Sequence, residues 1–247
     1  MRLSFSRFMR YKTCPLWYYF EMTLPVEEPP SAELLLGKLI HTYFYSLLKF
    51  EEEKTPEAVW NEIESSGELM SFENMKKDFS SFDELRDYYH SLRGKIILFG
   101  SREDYIKKIE NMMDNARKIS HTYRHRGYRN EVWLSESYGD LEIVGIIDLL
   151  GDGEFVELKT GGKNDNHIEQ LKFYSMLYYL NRYIAPKGYL VYLSTGEIEE
   201  YRFSVRELEN MFEDVKKVGR KIRNNIFPAR KGSHCNYCPY RGICEYR

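Results

Sequence analysis

Long apolar runs are missing from this sequence. Nowhere do 18 consecutive apolar residues occur, which excludes a membrane-spanning helix. Cysteine is scarce too. There are four in 247 residues, three of them within ten positions near the C-terminal end, a distribution that excludes the disulfide framework of a secreted domain. A secretory signal peptide is not expected, because Arg7, Arg10 and Lys12 interrupt the apolar residues of the opening segment and no small-residue cleavage site follows. The expected setting is a reducing cytoplasm. Charge of one sign is not in excess: the net charge is −2 although 30% of residues are charged, so any nucleic-acid site has to be a local patch. Repeats and low-complexity segments are absent.

With 43% hydrophobic residues, the chain can bury one large core. Apolar spacing predicts a helix over Leu34–Phe50, entered after Glu28-Pro29-Pro30-Ser31. Residues 55–126 read as several helices, broken near Ser65-Ser66-Gly67 and between Gly94 and Gly100, the last of them charged and amphipathic from Arg102 to His125. After Gly127 the pattern changes to that of strands. Glu131–Tyr138 alternates, Leu141–Leu150 is a β-branched apolar run, and Gly151-Asp152-Gly153 is a hairpin turn into Phe155–Lys159. His167–Arg182 returns to helical spacing, Tyr189–Leu193 and Glu199–Phe203 read as strands joined across Ser194-Thr195-Gly196, and Val205–Asn225 is a closing helix. The expected class is α+β (α/β), a central mixed sheet flanked by helices. One domain over 1–247 is expected, with a helical elaboration at 51–126 and a core at 127–225. Basic clusters at Arg124, Arg126 and Arg129 and at Lys216, Lys217, Arg220, Lys221 and Arg223, like the acidic Glu51–Glu53, read as solvated helix faces that permit DNA binding without arguing for it.

The chemistry-bearing pattern is Asp148 near the end of one strand and Glu157-Leu158-Lys159 on the next. Successive strand side chains point to opposite faces, so Glu157 and Lys159 share a face and Leu158 turns into the core. The hairpin is expected to bring Asp148 beside them at a sheet edge. Two carboxylates there can hold Mg2+ or Mn2+ through oxygen, and an ammonium can orient the attacking water of phosphodiester hydrolysis. A surface salt bridge is the alternative for an arbitrary E-x-K, but the apolar run feeding Asp148 suggests burial, where an unpartnered carboxylate is costly.

Cys235-x2-Cys238-x5-Cys244 places three thiols within reach of one centre, and Cys14, like Cys238, is followed by proline. Four thiolates suit tetrahedral Zn2+ or a 4Fe–4S cluster, and spacing alone does not choose between them. His234 could complete a Cys3His zinc site if Cys14 were remote.

Taken together, Gly-Ile-Ile-Asp148, Glu157-Leu-Lys159-Thr and Gln170-Leu-Lys-Phe-Tyr174 resemble the core motifs of the RecB-like PD-(D/E)xK nucleases. The resemblance implies that Asp148 and Glu157 bind metal, that Lys159 is catalytic, that His41 on an early helix is a further metal ligand, and that Gln170 and Tyr174 support the site and contact DNA. The solitary N-terminal cysteine with a C-terminal trio, and Ser4-x6-Tyr11-x2-Cys14-Pro15 around it, are similar to the iron–sulfur clasp of the CRISPR-associated RecB-like nucleases. That likeness implies a 4Fe–4S cluster on Cys14, Cys235, Cys238 and Cys244, joining residues 1–20 to 226–247. It also implies DNA ends or single strands as substrate and CRISPR adaptation proteins as partners. No P-loop is present, so the chain carries no motor of the helicase-linked members. The alternatives are a repair, recombination or viral nuclease of the same family, and a non-catalytic module that binds DNA ends.

Overall fold

The computed structural model of the chain describes residues 1–49, 54–76, 79–124 and 126–246. Phe50, Glu51–Glu53 and His125, on which the sequence reading placed helix ends and an acidic run, lie outside the described residues.

The first thirty residues hold structure that the sequence reading left unassigned. A three-residue strand, β1 (Arg2–Ser4), leads into α1 (Phe5–Thr13), whose first turn is capped by the Ser4 hydroxyl accepting the Arg7 N–H. Cys14 closes α1 in an extended conformation, and Pro15 then opens α2 (Pro15–Thr23) at the first helical position, where its missing N–H costs nothing. The Cys-Pro step is therefore a corner between two helices. Ser31 caps α3 (Ala32–Leu48), close to its expected span, and Thr55 caps α4 (Pro56–Ser65).

Between α4 and the core, the all-helical expectation needs correction. β2 (Glu68–Ser71) and β3 (Lys95–Leu98) pair in parallel on either side of α5 (Phe82–Ser91). The breaks read at Gly67 and Gly94 are the start of this pairing. A Cβ on Gly67 would stand 2.5 Å from the Gly94 carbonyl oxygen, so only glycine lets the chains approach there. Strands of four residues give too short a period to register beside helical neighbours. A capping box of Ser101 and Asp104 then starts α6 (Arg102–Tyr123).

The second half follows the expected order: β4 (Arg129–Tyr138), β5 (Leu141–Leu150), β6 (Glu154–Lys159), α7 (Asp165–Arg182), β7 (Lys187–Tyr192), β8 (Glu197–Arg202) and α8 (Val205–Arg223). β4, β5 and β6 form an antiparallel meander, β7 lies parallel to β6 after the α7 crossover, and β8 returns antiparallel. β4 runs along the whole of one edge of β5. The other edge is shared, by β1 in parallel near Glu142–Val144 and by β6 at Leu149–Leu150. The result is a central mixed sheet with helices on both sides. Leu3, Ile143, Ile147, Phe155 and Leu190 pack beneath α1, α7 and α8, whereas Leu149, Val156, Leu158 and Val191 pack against α3, α4 and α6.

Candidate active site

The hairpin turn Gly151–Gly153 brings β5 and β6 together for only two residue pairs, Leu149 with Val156 and Leu150 with Phe155. Beyond them the strands part. Asp148 stands at the parting, and its Oδ2 accepts the Leu158 N–H at 2.8 Å. The carboxylate thus satisfies a backbone donor that the interrupted ladder leaves free and holds the fork open. The acidic pair does not sit at a sheet edge, as expected from the sequence, because β5 and β6 are both interior strands.

Glu157 enters the same fork from β6 and is 5% exposed, while Leu158 faces the opposite core, as strand alternation requires. Glu157 Oε1 accepts from Lys159 Nζ at 2.9 Å and from Gln170 Nε2 at 2.9 Å. Its Oε2 is buried with no hydrogen-bond partner among the described residues. Burial pushes the Glu157 carboxyl up from its ordinary value, the nearby Asp148 charge adds to the rise, and Lys159 only partly offsets it. A buried carboxylate beside another, with one oxygen bare, is a site that a cation relieves.

The predicted residues around this pair converge. On α3, His41 Nδ1 is 3.5 Å from Asp148 Oδ1. From α7, Gln170 Oε1 accepts from Lys159 Nζ at 2.7 Å while its Nε2 also reaches the Tyr174 hydroxyl at 3.1 Å. Gln170 and Tyr174 therefore share one helix face turned toward β6. Burial raises the Tyr174 hydroxyl well above an ordinary tyrosine, the Glu157 charge contributing next.

Tyr45 was not singled out from the sequence, yet its hydroxyl donates to Asp148 Oδ1 at 3.2 Å. The available signal was spacing: it lies four residues after His41, on the same face of α3. Burial and the Asp148 charge hold it protonated as a donor. His167 was also missed. It lies one turn before Gln170 with Nδ1 3.3 Å from the Tyr192 hydroxyl, and burial followed by the Lys159 charge lowers its pKa.

Gly145 lets α7 approach. A Cβ there would lie 2.9 Å from Tyr174 Cε1, so Gly145→Ala must displace the ring and with it the Gln170 contact. The expected result is a loss of about 1–3 kcal/mol of stability, read by denaturant unfolding, together with reduced cleavage. His41→Ala, in contrast, is expected to leave the fold intact and to weaken metal affinity by roughly 10- to 100-fold, so raised Mn2+ restores activity in a metal titration. Full activity of that variant at limiting metal would return His41 to a packing role.

The four cysteines lie around one pocket whose lining includes none of the fork residues. Cys14, Cys235, Cys238 and Cys244 line it together with Trp17 and His234. Cys14 Sγ accepts the Arg230 N–H at 3.5 Å, and Tyr240, between the last two cysteines, is buried against Cys14, Trp17 and Phe79. Burial pushes the Cys238 thiol up to about 12, with the other three thiols adding to the rise. Cys14 is not remote, and His234, which lines the same pocket, has Nε2 3.0 Å from the Arg230 carbonyl and its ring stacked on Trp17. Among the described residues, no group of three or more His, Cys, Asp or Glu side chains is gathered as closely as a single metal ion requires, at the fork or here.

The sequence profile of the PD-(D/E)XK nuclease superfamily matches residues 2–245. No curated protein sequence matches the chain. Among solved structures, a "Putative exonuclease" from Eubacterium rectale superposes with a TM-score of 0.57 at 12% identity, over 99% of this chain and 89% of that one, a likeness of fold. Another, named SSO0001, gives a TM-score of 0.38 at 18% identity over 86% of this chain and 95% of its own, which carries no argument. The profile spans the β5–β6 fork, the α7 motif and both ends of the chain, and by it this protein belongs to the PD-(D/E)XK nuclease superfamily.

Proposed function

We propose that this nuclease is a Mg2+- or Mn2+-dependent deoxyribonuclease acting on single-stranded DNA or DNA ends, with Asp148, Glu157 and His41 as metal ligands and Lys159 as the catalytic cation. The observation that carries the reading is the bare, buried Glu157 Oε2 beside Asp148, in reach of an ammonium held by two acceptors. The donor set, two carboxylates and one imidazole, suits a hard divalent ion with open positions. Such an ion, when bound, supplies Lewis-acid activation of phosphate and water.

The chain's own groups supply orientation. Lys159 Nζ keeps a fixed place because Glu157 Oε1 and Gln170 Oε1 grip it from two sides, and from there it can hold a water or a phosphoryl oxygen by a charge-assisted hydrogen bond. The Gln170–Tyr174 contact fixes the grip, and Tyr45 fixes Asp148. The test is a time course on end-labelled single- and double-stranded DNA with Mg2+, Mn2+ or EDTA. Cleavage is expected only with metal, and Lys159→Ala is expected to lose about 100-fold or more of it. Metal-independent cleavage, or undiminished cleavage by that variant, would refute the assignment; binding without any cleavage would favour the end-binding module.

The second part of the proposal concerns the cysteines. That the four thiols line one pocket supports the reading of a 4Fe–4S cluster that fastens the chain ends, a structural rather than catalytic role. This arrangement, one lone N-terminal cysteine with a C-terminal trio, also supports a place among the CRISPR-associated members, with adaptation proteins as partners. Genes neighbouring its own separate that role from repair, recombination or viral ones.

A further inference from the structure

Beside the fork, a short stretch of the sheet is exposed at Trp133 and Ile146. Trp133 on β4 is the cross-strand partner of Ile146 on β5, and the two are 49% and 50% exposed. Cross-strand partners share a face, and Ile146 shares its face with Asp148, two residues further along the strand. Trp133 is not a core residue turned outward by chance of register. Its neighbours Val132 and Leu134 face the other side and pack against the α7 core, so the strand alternates and leaves the indole in solvent. Trp17 and Trp60 are buried, which leaves Trp133 the exposed indole of the three in the chain.

Two further facts fit this face to an anionic, flat ligand. The Arg2 guanidinium lies 5.6 Å from the Trp133 ring centroid, and its side chain is 57% exposed even while paired with Glu142 at 2.9 Å. The strand rise places Trp133 about 7 Å along the sheet from the level of Asp148, roughly two stacked nucleotides. Among the described residues β4 pairs with β5 alone, so no further strand lies on its outer edge.

We infer that Trp133 is a stacking platform for an unpaired base of the substrate strand, with Arg2 beside it for the adjoining phosphate. The inference rests on the reading of the fork as a DNA-cleaving site. An unpaired base offers a π-face of any sequence, whereas the bases of a duplex are already stacked on one another, so the platform selects single strands. It is a binding element for the strand running out of the fork, and its contribution is to affinity.

The test uses the full chain with no divalent metal added, so that binding is read independently of cleavage. A short oligothymidylate is expected to quench tryptophan emission, and a blunt duplex of the same length is expected not to. Trp133→Phe should abolish the quench while keeping affinity within about twofold, and Trp133→Ala should weaken single-strand binding roughly tenfold. In assays with metal, Trp133→Ala should raise KM and leave kcat close to wild type. Quenching and the tenfold loss without any cleavage would support the platform while overturning the catalytic reading. Quenching that survives in Trp133→Phe, or unchanged affinity in Trp133→Ala, would overturn the platform. So would sedimentation showing a wild-type dimer that Trp133→Ala dissolves, which would give the face to a second copy of the chain.

Discussion

Glu157→Gln is expected to lose about three orders of magnitude in DNA cleavage and, with no divalent metal present, to melt a few degrees higher than wild type. Both effects come from one atom. Glu157 is buried beside Asp148 with Oε2 unpartnered, and its environment disfavours the charged form. Replacing the carboxylate with an amide of the same shape removes a buried like-charge contact and keeps an acceptor for Lys159; burial and the Asp148 charge together outweigh the Lys159 ion pair, so the fold without metal gains. Each kcal/mol gained raises Tm by about 2–4 °C in a chain of this size. The activity falls because a charged oxygen ligand is gone. Added Mg2+ or Mn2+ should raise the wild-type Tm, and the variant's much less. Asp148→Ala is expected to be as inactive but less stable, because the Leu158 N–H then loses its acceptor in a half-buried position. A Glu157→Gln protein that cleaves as wild type, measured with end-labelled DNA, would sink the assignment of the fork.

That opposition of stability and activity explains why the site was legible in the sequence. An aspartate inside an apolar β-branched run and an E-x-K across a Gly-Asp-Gly turn break the local pattern, and such breaks are where function is found. β4, β5, α7 and α8 were legible for the complementary reason, since each runs for ten or more residues. The unread parts are short or relational. β1 has three residues and acquires meaning only by lying against Glu142–Val144, far away in sequence. β2 and β3 have four each and pair across a helix. The fork itself could not be read, because a hairpin written as Asp148 opposite Glu157 looks like a continuous ladder. That the pairing stops at Leu149, with the Asp148 side chain taking a backbone partner, is a three-dimensional event. Ile146 is another such case: the run reads as buried throughout, yet Ile146 is half exposed.

Cys14→Ser is expected to have the largest effect on stability. Cys14 is 8% exposed at the corner between α1 and α2, and its sulfur accepts from Arg230, at the far end of the chain. Of the four thiols around the pocket, Cys14 comes from the N-terminal side, and Cys235, Cys238 and Cys244 belong to the tail. The proposed 4Fe–4S cluster would close a loop over most of the chain. By analogy with a disulfide of that span, the closure would remove about 5 kcal/mol of chain entropy from the unfolded state. Other contacts also join the two ends: the Tyr11 hydroxyl donates to the Ile226 carbonyl at 2.5 Å, Phe227 packs on Tyr11, Tyr18 and Tyr19, and the Tyr240 hydroxyl donates to the Leu24 carbonyl at 2.9 Å. Anaerobically purified wild type should be brown, with broad absorbance near ~400 nm and roughly four irons per chain. Cys14→Ser should be bleached, melt far lower and aggregate, because one missing ligand undoes both the centre and the link. Residual cleavage per folded molecule should remain, since the Asp148–Glu157 fork shares no residue with the cysteine pocket. A colourless anaerobic wild type with one zinc per chain would overturn the cluster, and a Cys14→Ser protein with unchanged Tm would overturn the fastening of the ends.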